Sequence, residues 1–353
     1  MSHLEMGTSH PPGTLDLANS DLDLVTRFHQ STLPSHLSNS TDPSISYDGS
    51  ELIYRLLRLE TWGSPLMNLG YFVFPWPLSP LNLLFPVEQA QRRLVLKTER
   101  LLEIQPGDRV LDLACGRGQS SFILQNLHPQ STVVGLDLVE RHVGVAQTLF
   151  GKTRNLSFAE GNAMLLADRD DSFDRIMCLE AAFHFPDRQQ FLQESFRVLR
   201  PGGRLVVVDF AWTTDEDRVH RNDPETLLVR QAWQWDDFSS VDEYATMARR
   251  SGFHVSARRD WSGHVTQPMQ LQLQLLYLLS RSKLGRRILC WKNPLFRSFS
   301  TDDWNACTST VAAHQHVMSH SRYMAFVFDK PPIERITGEM FNHRSNASAA
   351  SAE

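Results

Sequence analysis

The chain has 353 residues with a formal charge of −5 and a pI near 6.3, which excludes the basic excess of a general nucleic-acid binder. With 41% hydrophobic and 21% charged residues it can bury a sizeable core, arranged as one large α/β domain or two smaller ones. Four cysteines (Cys115, Cys178, Cys290, Cys307) stand far apart without a CxxC pair, so neither a disulfide framework nor a zinc site is expected, and reduced thiols point to the cytosol. No run of 18 apolar residues is available to span a bilayer, and acids (Glu5, Asp16, Asp21, Asp23) occupy the place of a signal or transit peptide.

Residues 1–45, rich in Ser, His, Pro, Thr and Asn, are expected to form a flexible arm, and 334–353, ending in NASAASAE, a flexible tail. A single domain is expected over 46–333, with its core at 88–212 and a cap and C-terminal strands at 213–333. Apolar periodicity predicts a helix over 88–104, then a turn at Pro106–Asp108 and a buried strand over 109–115 that runs into glycines. A helix over 120–127, a strand over 132–138, a helix through ERHVGVAQTLFG and a strand over 156–162 follow. The strand 173–181, the helix RQQFLQESFRVLR and the strand 203–211 complete five β–α steps. Beyond them the pattern gives a helix over 241–252, a strand over 253–261, mostly helical structure over 265–300 and a last strand over 321–329. Strands alternating with helices imply a doubly wound α/β fold, whose ligands bind beyond the carboxyl ends of the parallel strands.

The segment VLDLACGRGQSS (110–121) sits at such an end. Gly116 and Gly118 let the backbone turn tightly and approach a ligand, and the helix that follows offers free N–H groups to an electron-rich one. Asp137 stands 21 residues after Gly116 at the end of the next strand, placed to accept hydrogen bonds from both hydroxyls of a ribose. These residues alone define a nucleoside-containing cofactor, or else a plain glycine turn beside a surface acid. A dinucleotide would favour GxGxxG, and Ser121 occupies the third glycine position; a nicotinamide-dependent oxidoreductase and a non-catalytic cofactor-binding protein both stay open at this point.

Residues 105–211 resemble the core of the class I S-adenosylmethionine-dependent methyltransferases, in the branch containing sterol, tocopherol, ubiquinone and polyketide-sugar methyltransferases. The matching pieces are DLACGRG (112–118), GLDL (135–138), EGNA (160–163), FDRIMCLEAAFHFPD (173–187) and VLRPGGRLVVVDF (198–210). The resemblance implies a Rossmann-like, doubly wound, mostly parallel seven-stranded sheet with helical cap elements before the core and after strand five. It implies S-adenosyl-L-methionine as cofactor, with Asp112, Gly116 and Gly118 around its methionine part, Asp137 on the ribose and Leu138 against the adenine. Asn162 and Ala163 would meet the adenine edge, and Glu180 opens a loop that closes over the cofactor. Two positions depart from the family. Ala114 stands where glycine is usual at the same cofactor turn, and Asn162 where Asp is usual; both are expected to weaken cofactor binding modestly, since a neutral acceptor bonds less strongly than a carboxylate.

Methyl transfer from a sulfonium is an in-line displacement in which positioning contributes most and a base assists. His184, in the loop after strand four, is the candidate base, the alternative being a structural histidine that orders the loop. Asp209, at the end of strand five, would orient His184, contact the substrate or cap the loop. His220, His254, His264, His314, His316 and His320 are expected to be surface or local structural residues; His314 and His316 are spaced to ligate only on a strand, without a third partner.

Ahead of the core, YDGSELIYRLL (47–57) and WGSPLMNLGYFVFPWPL (62–78) lead in, the second dense in aromatics: Trp62, Tyr71, Phe72, Phe74 and Trp76. It resembles the Leu-Gly-Tyr segment that covers the cofactor in relatives, so Tyr71 touches cofactor or substrate or else packs a lid. Between Trp261 and Thr301 no acidic residue occurs, while Arg281, Lys283, Arg286, Arg287, Lys292 and Arg297 are basic. Such a segment suits a membrane surface, a lipid-like anionic substrate, or a cap helix with a solvated basic face. The apolar richness on both sides of the core favours a bulky hydrophobic acceptor (terpenoid, polyketide, quinone or lipid) over an amino acid or nucleotide. Whether its acceptor atom is oxygen, nitrogen or carbon is not written in the sequence.

Overall fold

The computed structural model describes residues 66–332, apart from 76, 85, 234, 236 and 293. The expected arm, the tail, the segment 47–57, Trp62 and Trp76 lie outside the described residues. The chain enters through a helix α1 (Val87–Leu102), then alternates β1 (Arg109–Leu113), α2 (Gln119–Leu127), β2 (Thr132–Asp137), α3 (Glu140–Phe150), β3 (Leu156–Glu160) and β4 (Phe173–Leu179). It continues through α4 (Arg188–Val198) and β5 (Leu199–Trp212) into α5 (Pro224–Trp233), α6 (Val241–Arg250) and β6 (His254–Asp260). Helices α7 (Thr266–Ser280), α8 (Lys283–Lys292) and α9 (Thr301–His320) then lead to β7 (Ser321–Asp329).

The seven strands form one sheet in the order β3-β2-β1-β4-β5-β7-β6. The first five are parallel, and β7 runs antiparallel to both β5 and β6. The expected seven-stranded, mostly parallel sheet is therefore present. Helices cover both faces of the central strands, so β1, β4 and β5 are buried on each side and read as continuous apolar runs. On one face Leu111, Leu113, Ile176, Val207 and Phe326 join Phe191, Leu192 and Tyr244 from α4 and α6. On the other, Val110, Met177, Val206 and Val327 meet Leu94, Leu101 and Leu102 of α1 and Leu124 of α2.

The strand order reverses between β1 and β4, which point the same way while their crossovers leave on opposite sides, opening a crevice at their carboxyl ends. The cap lies beyond β5. Helices α5 and α9 were not evident in the sequence; they share a buried cluster of Leu228, Val229, Ala313 and Val317 with Trp212 at the tip of β5 and Phe183 in the loop after β4. Helices α7, α8 and α9 enclose a separate cluster through Tyr277, Leu289, Phe296, Trp304 and Cys307.

Candidate active site

At the β1 tip the backbone turns through three residues of positive φ: Ala114 (56°), Gly116 (56°) and Gly118 (80°). Ala114 thus occupies the left-handed region, which costs an L-residue ~1–2 kcal/mol and explains why glycine is the expected occupant. Gly118 caps α2, and a Cβ built on it would stand 2.7 Å from both the Ala146 Cβ of α3 and the Phe158 ring of β3. At Gly116 a Cβ has one neighbour, the Met67 Sδ at 3.3 Å, and would otherwise enter a cavity of about 350 Å³. That volume falls within the ~300–1,000 Å³ common for small-molecule sites.

The cavity draws together most of the residues singled out from sequence. Asp112, Ala114 and Gly116 line it from β1 and its turn, Asp137 and Leu138 from the tip of β2, and Asn162 and Ala163 from the loop after β3. Glu180 and His184 line it from the loop after β4, joined by Phe185 and Pro186. Gly118, Tyr71 and Asp209 are not part of the lining. The Tyr71 ring stacks on His264, with centroids 4.5 Å apart, and meets Trp261 edge-on. Asp209 lies fully buried within β5, accepting from the Tyr244 hydroxyl at 2.6 Å and from the Phe210 N–H at 2.9 Å. Burial raises its carboxyl to about 6, against the pull of Arg188 and the Tyr244 hydroxyl.

The carboxylates in the lining are each held by their own neighbours. The Ser120 and Ser121 hydroxyls both donate to Asp112 Oδ2 at 2.6 Å. Burial nevertheless pushes the Asp112 carboxyl up to about 6, the serine hydrogen bonds pulling the other way. Ser121, which stands where a dinucleotide fingerprint has its third glycine, fills that place with a buried hydroxyl spent on Asp112. Asp137 accepts from the Gly116 N–H at 2.7 Å and the Val139 N–H at 3.0 Å, and His142 Nδ1 lies 3.3 Å from its Oδ1. The Asn162 oxygen accepts from the Met164 N–H at 2.9 Å, which leaves the Nδ2 donor and the oxygen's second lone pair for a ligand. Glu180, itself at φ 51°, accepts from the Leu69 N–H at 3.1 Å and from the Tyr323 hydroxyl of β7. Its carboxyl is raised to about 7, chiefly by removal from water.

Sequence reasoning missed His142, Met67 and Asn68. Asn68 precedes the Leu-Gly-Tyr segment; it is buried, lines the cavity, and its Oδ1 has no hydrogen-bond partner among the described residues. A buried acceptor left in this way calls for a donor from a ligand. The lining carries three carboxylates (Asp112, Asp137, Glu180) against one guanidinium, Arg117. That balance fits a ligand bearing an ammonium and a sulfonium and opposes a pyrophosphate.

A family model described as a methyltransferase domain matches residues 104–266. The chain is 36% identical over 198 residues to methyltransferase GfsG of Streptomyces halstedii, covering 55% of this chain and 69% of that protein. It is 30% identical over 207 residues to O-methyltransferase resE of Aspergillus sclerotiorum, covering 58% and 76%. Among solved structures, the cyclopropane synthase MmaA2 of Mycobacterium tuberculosis shares the fold with a TM-score of 0.61 at 17% identity, over 84% of this chain and all of that one. A seven-stranded sheet with an antiparallel β7 and a carboxylate-lined crevice at the β1 and β2 tips defines a class of nucleoside-cofactor enzymes. The chain belongs to the class I S-adenosylmethionine-dependent methyltransferases that act on small molecules.

Proposed function

We propose that this enzyme transfers the methyl group of S-adenosylmethionine to a bulky hydrophobic acceptor, with His184 as general base. The observation that carries the reading is the presence of His184 in the same cavity wall as Asp137, Asn162 and Gly116. S-adenosylmethionine supplies a methyl group already activated on a cationic sulfur. The protein's part is to bind, orient and remove a proton. Asp137, held rigidly by two backbone N–H groups, accepts from the ribose hydroxyls. Asn162 would hold the adenine edge, Leu138 and Ala163 would pack against that base, and the Asn68 oxygen would accept from the amino-acid end. Asp112, Glu180 and the backbone at Gly116 favour the cation.

His184 is buried, and its backbone is fixed by the N–H bond to Ala181 O at 2.9 Å. Its ring lies 4.1 Å from the Phe183 ring, which leads into a stack of Phe210, Phe238 and Trp235. Phe185 and Pro186, which line the cavity beside the base, support an apolar acceptor; the relatives' names fit, one being an O-methyltransferase and another a 2-methyl-6-phytyl-1,4-hydroquinone methyltransferase. Asp209 and Tyr71 support the site through packing and do not touch the reactants.

On the cap, α8 exposes Leu284 (70%), Ile288 and Trp291 (81%) along one stripe beside Arg287. This supports contact with an anionic lipid surface, from which an apolar acceptor would be drawn. No helix among the described residues is long and apolar enough to cross a membrane. The test of the catalytic assignment uses labelled cofactor and fractionated host extract to find the acceptor, followed by His184→Ala. Turnover should fall at least ~10-fold, and by up to the ~10²–10⁴-fold a general base supplies, while cofactor affinity stays nearly unchanged. Equal loss of both would reassign His184 to loop structure.

A further inference from the structure

Three of the histidines expected to be surface or local structural residues meet in the cap. His316 and His320 lie four apart on α9 and therefore share one face of it, one helical turn from each other. His220 comes to the same face from the turn Glu216–Asn222 that follows β5. One ring nitrogen from each of the three falls within 4.8 Å of the others. Asp223 joins them: its Oδ2 lies 2.8 Å from His220 Nδ1 and 2.8 Å from His316 Nε2. The His220 and His320 rings stack with centroids 3.7 Å apart, and all three side chains are half-buried, open to an entering ion. By contrast His314, the neighbour noticed from sequence, is committed to Thr310 O and to the Trp233 indole N–H.

We propose that His220, His316 and His320, with Asp223, form a binding site for a divalent transition metal of the zinc type, separate from the cofactor cavity. Imidazole nitrogens suit Zn²⁺, Ni²⁺ and Cu²⁺ and disfavour Mg²⁺. Three imidazoles leave a fourth tetrahedral position, which Asp223 fills directly or supports by accepting a ring N–H. The rings must draw inward, because Zn–N bonds of ~2.0–2.1 Å place ligand nitrogens nearer to one another than they now stand. Half-buried rings on a helix face and a short turn can make that adjustment by side-chain rotation. None of the four residues lines the cavity, which gives the ion a structural role. It would clasp the β5–α5 turn to α9, and Val317, next to His316, packs in the same cluster as Phe183 beside the candidate base. Loading the site would stiffen the aromatic packing behind His184.

The experiment uses the full chain, stripped with EDTA and dialysed, then titrated with ZnCl₂ by calorimetry and analysed for bound metal. One tight equivalent per chain is expected, with a rise in Tm that MgCl₂ does not give, and Co²⁺ should produce the visible absorption of a tetrahedral site. His316→Ala and His320→Ala should each weaken Zn²⁺ by ~100-fold or more and remove the thermal shift. Binding of S-adenosylhomocysteine by each variant checks that it is folded; His316→Gln and His320→Gln replace any that is not. Zinc affinity unchanged in the folded variants would overturn the proposal, as would no binding below ~100 μM, too weak for a site of this ligand set.

Discussion

Gly116 and Gly118 stand two residues apart in one turn, yet alanine should act at them in different ways. Both hold positive φ, so each substitution carries ~1–2 kcal/mol of backbone strain. At Gly118 the new methyl would also press into the Ala146 Cβ and the Phe158 ring at 2.7 Å, both set on regular elements with little room to yield. Overpacking of this kind adds ~1–3 kcal/mol, so Gly118→Ala should lose ~2–5 kcal/mol in all. For a domain of this size that lowers Tm by roughly 2–4 °C per kcal/mol. At Gly116 the methyl meets only the flexible end of Met67 at 3.3 Å and then the cavity. Gly116→Ala should therefore lose ~1–2 kcal/mol of stability from strain alone, while S-adenosylhomocysteine affinity falls ~10-fold or more, equivalent to ~1.4 kcal/mol. Thermal unfolding without ligand and calorimetry with S-adenosylhomocysteine separate the two effects. If Gly116→Ala bound normally, or if Gly118→Ala unfolded no earlier than Gly116→Ala, the assignment of one glycine to the ligand and the other to packing would be refuted.

The buried carboxyls predict an unusual pH response. Asp112 and Asp209 are raised to about 6 and Glu180 to about 7, so the folded protein holds these protons more tightly than the unfolded chain; their contribution is full below the unfolded pKa and is lost as pH rises through 6–7. Cofactor-free protein should gain about 1 kcal/mol from Glu180 between pH 8 and 6.5, opposed in part by His314 and His320, whose burial makes them protonate less readily than in the unfolded chain; Glu180→Gln should remove the Glu180 gain, and a Tm slope unchanged in that variant would disprove the assignment. For the cap, sedimentation with vesicles should show binding to anionic but not zwitterionic lipid, reduced ~10-fold in Trp291→Ser. Equal partition to both lipids would remove the membrane reading.

The parallel core was legible because strands buried on both faces read as unbroken apolar runs between turn signals, and β1, β2 and β4 agree with expectation to within two residues at each end. β7 spans the residues its alternation indicated. Helix α9 was hidden because Ser, Thr, Cys and His dilute its helix propensity and because it is buried on several sides, erasing a single apolar stripe. Its start was nonetheless written in Ser300 and Asp303, which form a reciprocal capping box. Missing that helix concealed the i,i+4 pair of His316 and His320. At the site, strand-tip residues such as Asp137 and Asn162 could be placed by topology, since β1, β2, β3 and β4 deliver the residues at their ends to the same crevice. Asp209 and Tyr71 could not, because packing partners distant in sequence, Tyr244 and His264, decide where those side chains go. Asn68 carried no signal beyond its place before the Leu-Gly-Tyr segment.

The antiparallel β7 has a consequence for how such an enzyme can change its substrate. Because β6 and β7 close the sheet after the five parallel strands, α5, α7, α8 and α9 all hang from connections between β5, β6 and β7 at the far edge. The nucleoside-gripping tips belong to β1, β2, β3 and β4. Insertions or exchanges at the far edge can therefore alter the packing behind His184, and with it the proposed choice of acceptor, while the glycine turn and its carboxylates keep their register. A chimera that borrows 213–320 from a relative tests this division of labour: it should retain nucleoside affinity and inherit the donor's taste in acceptors.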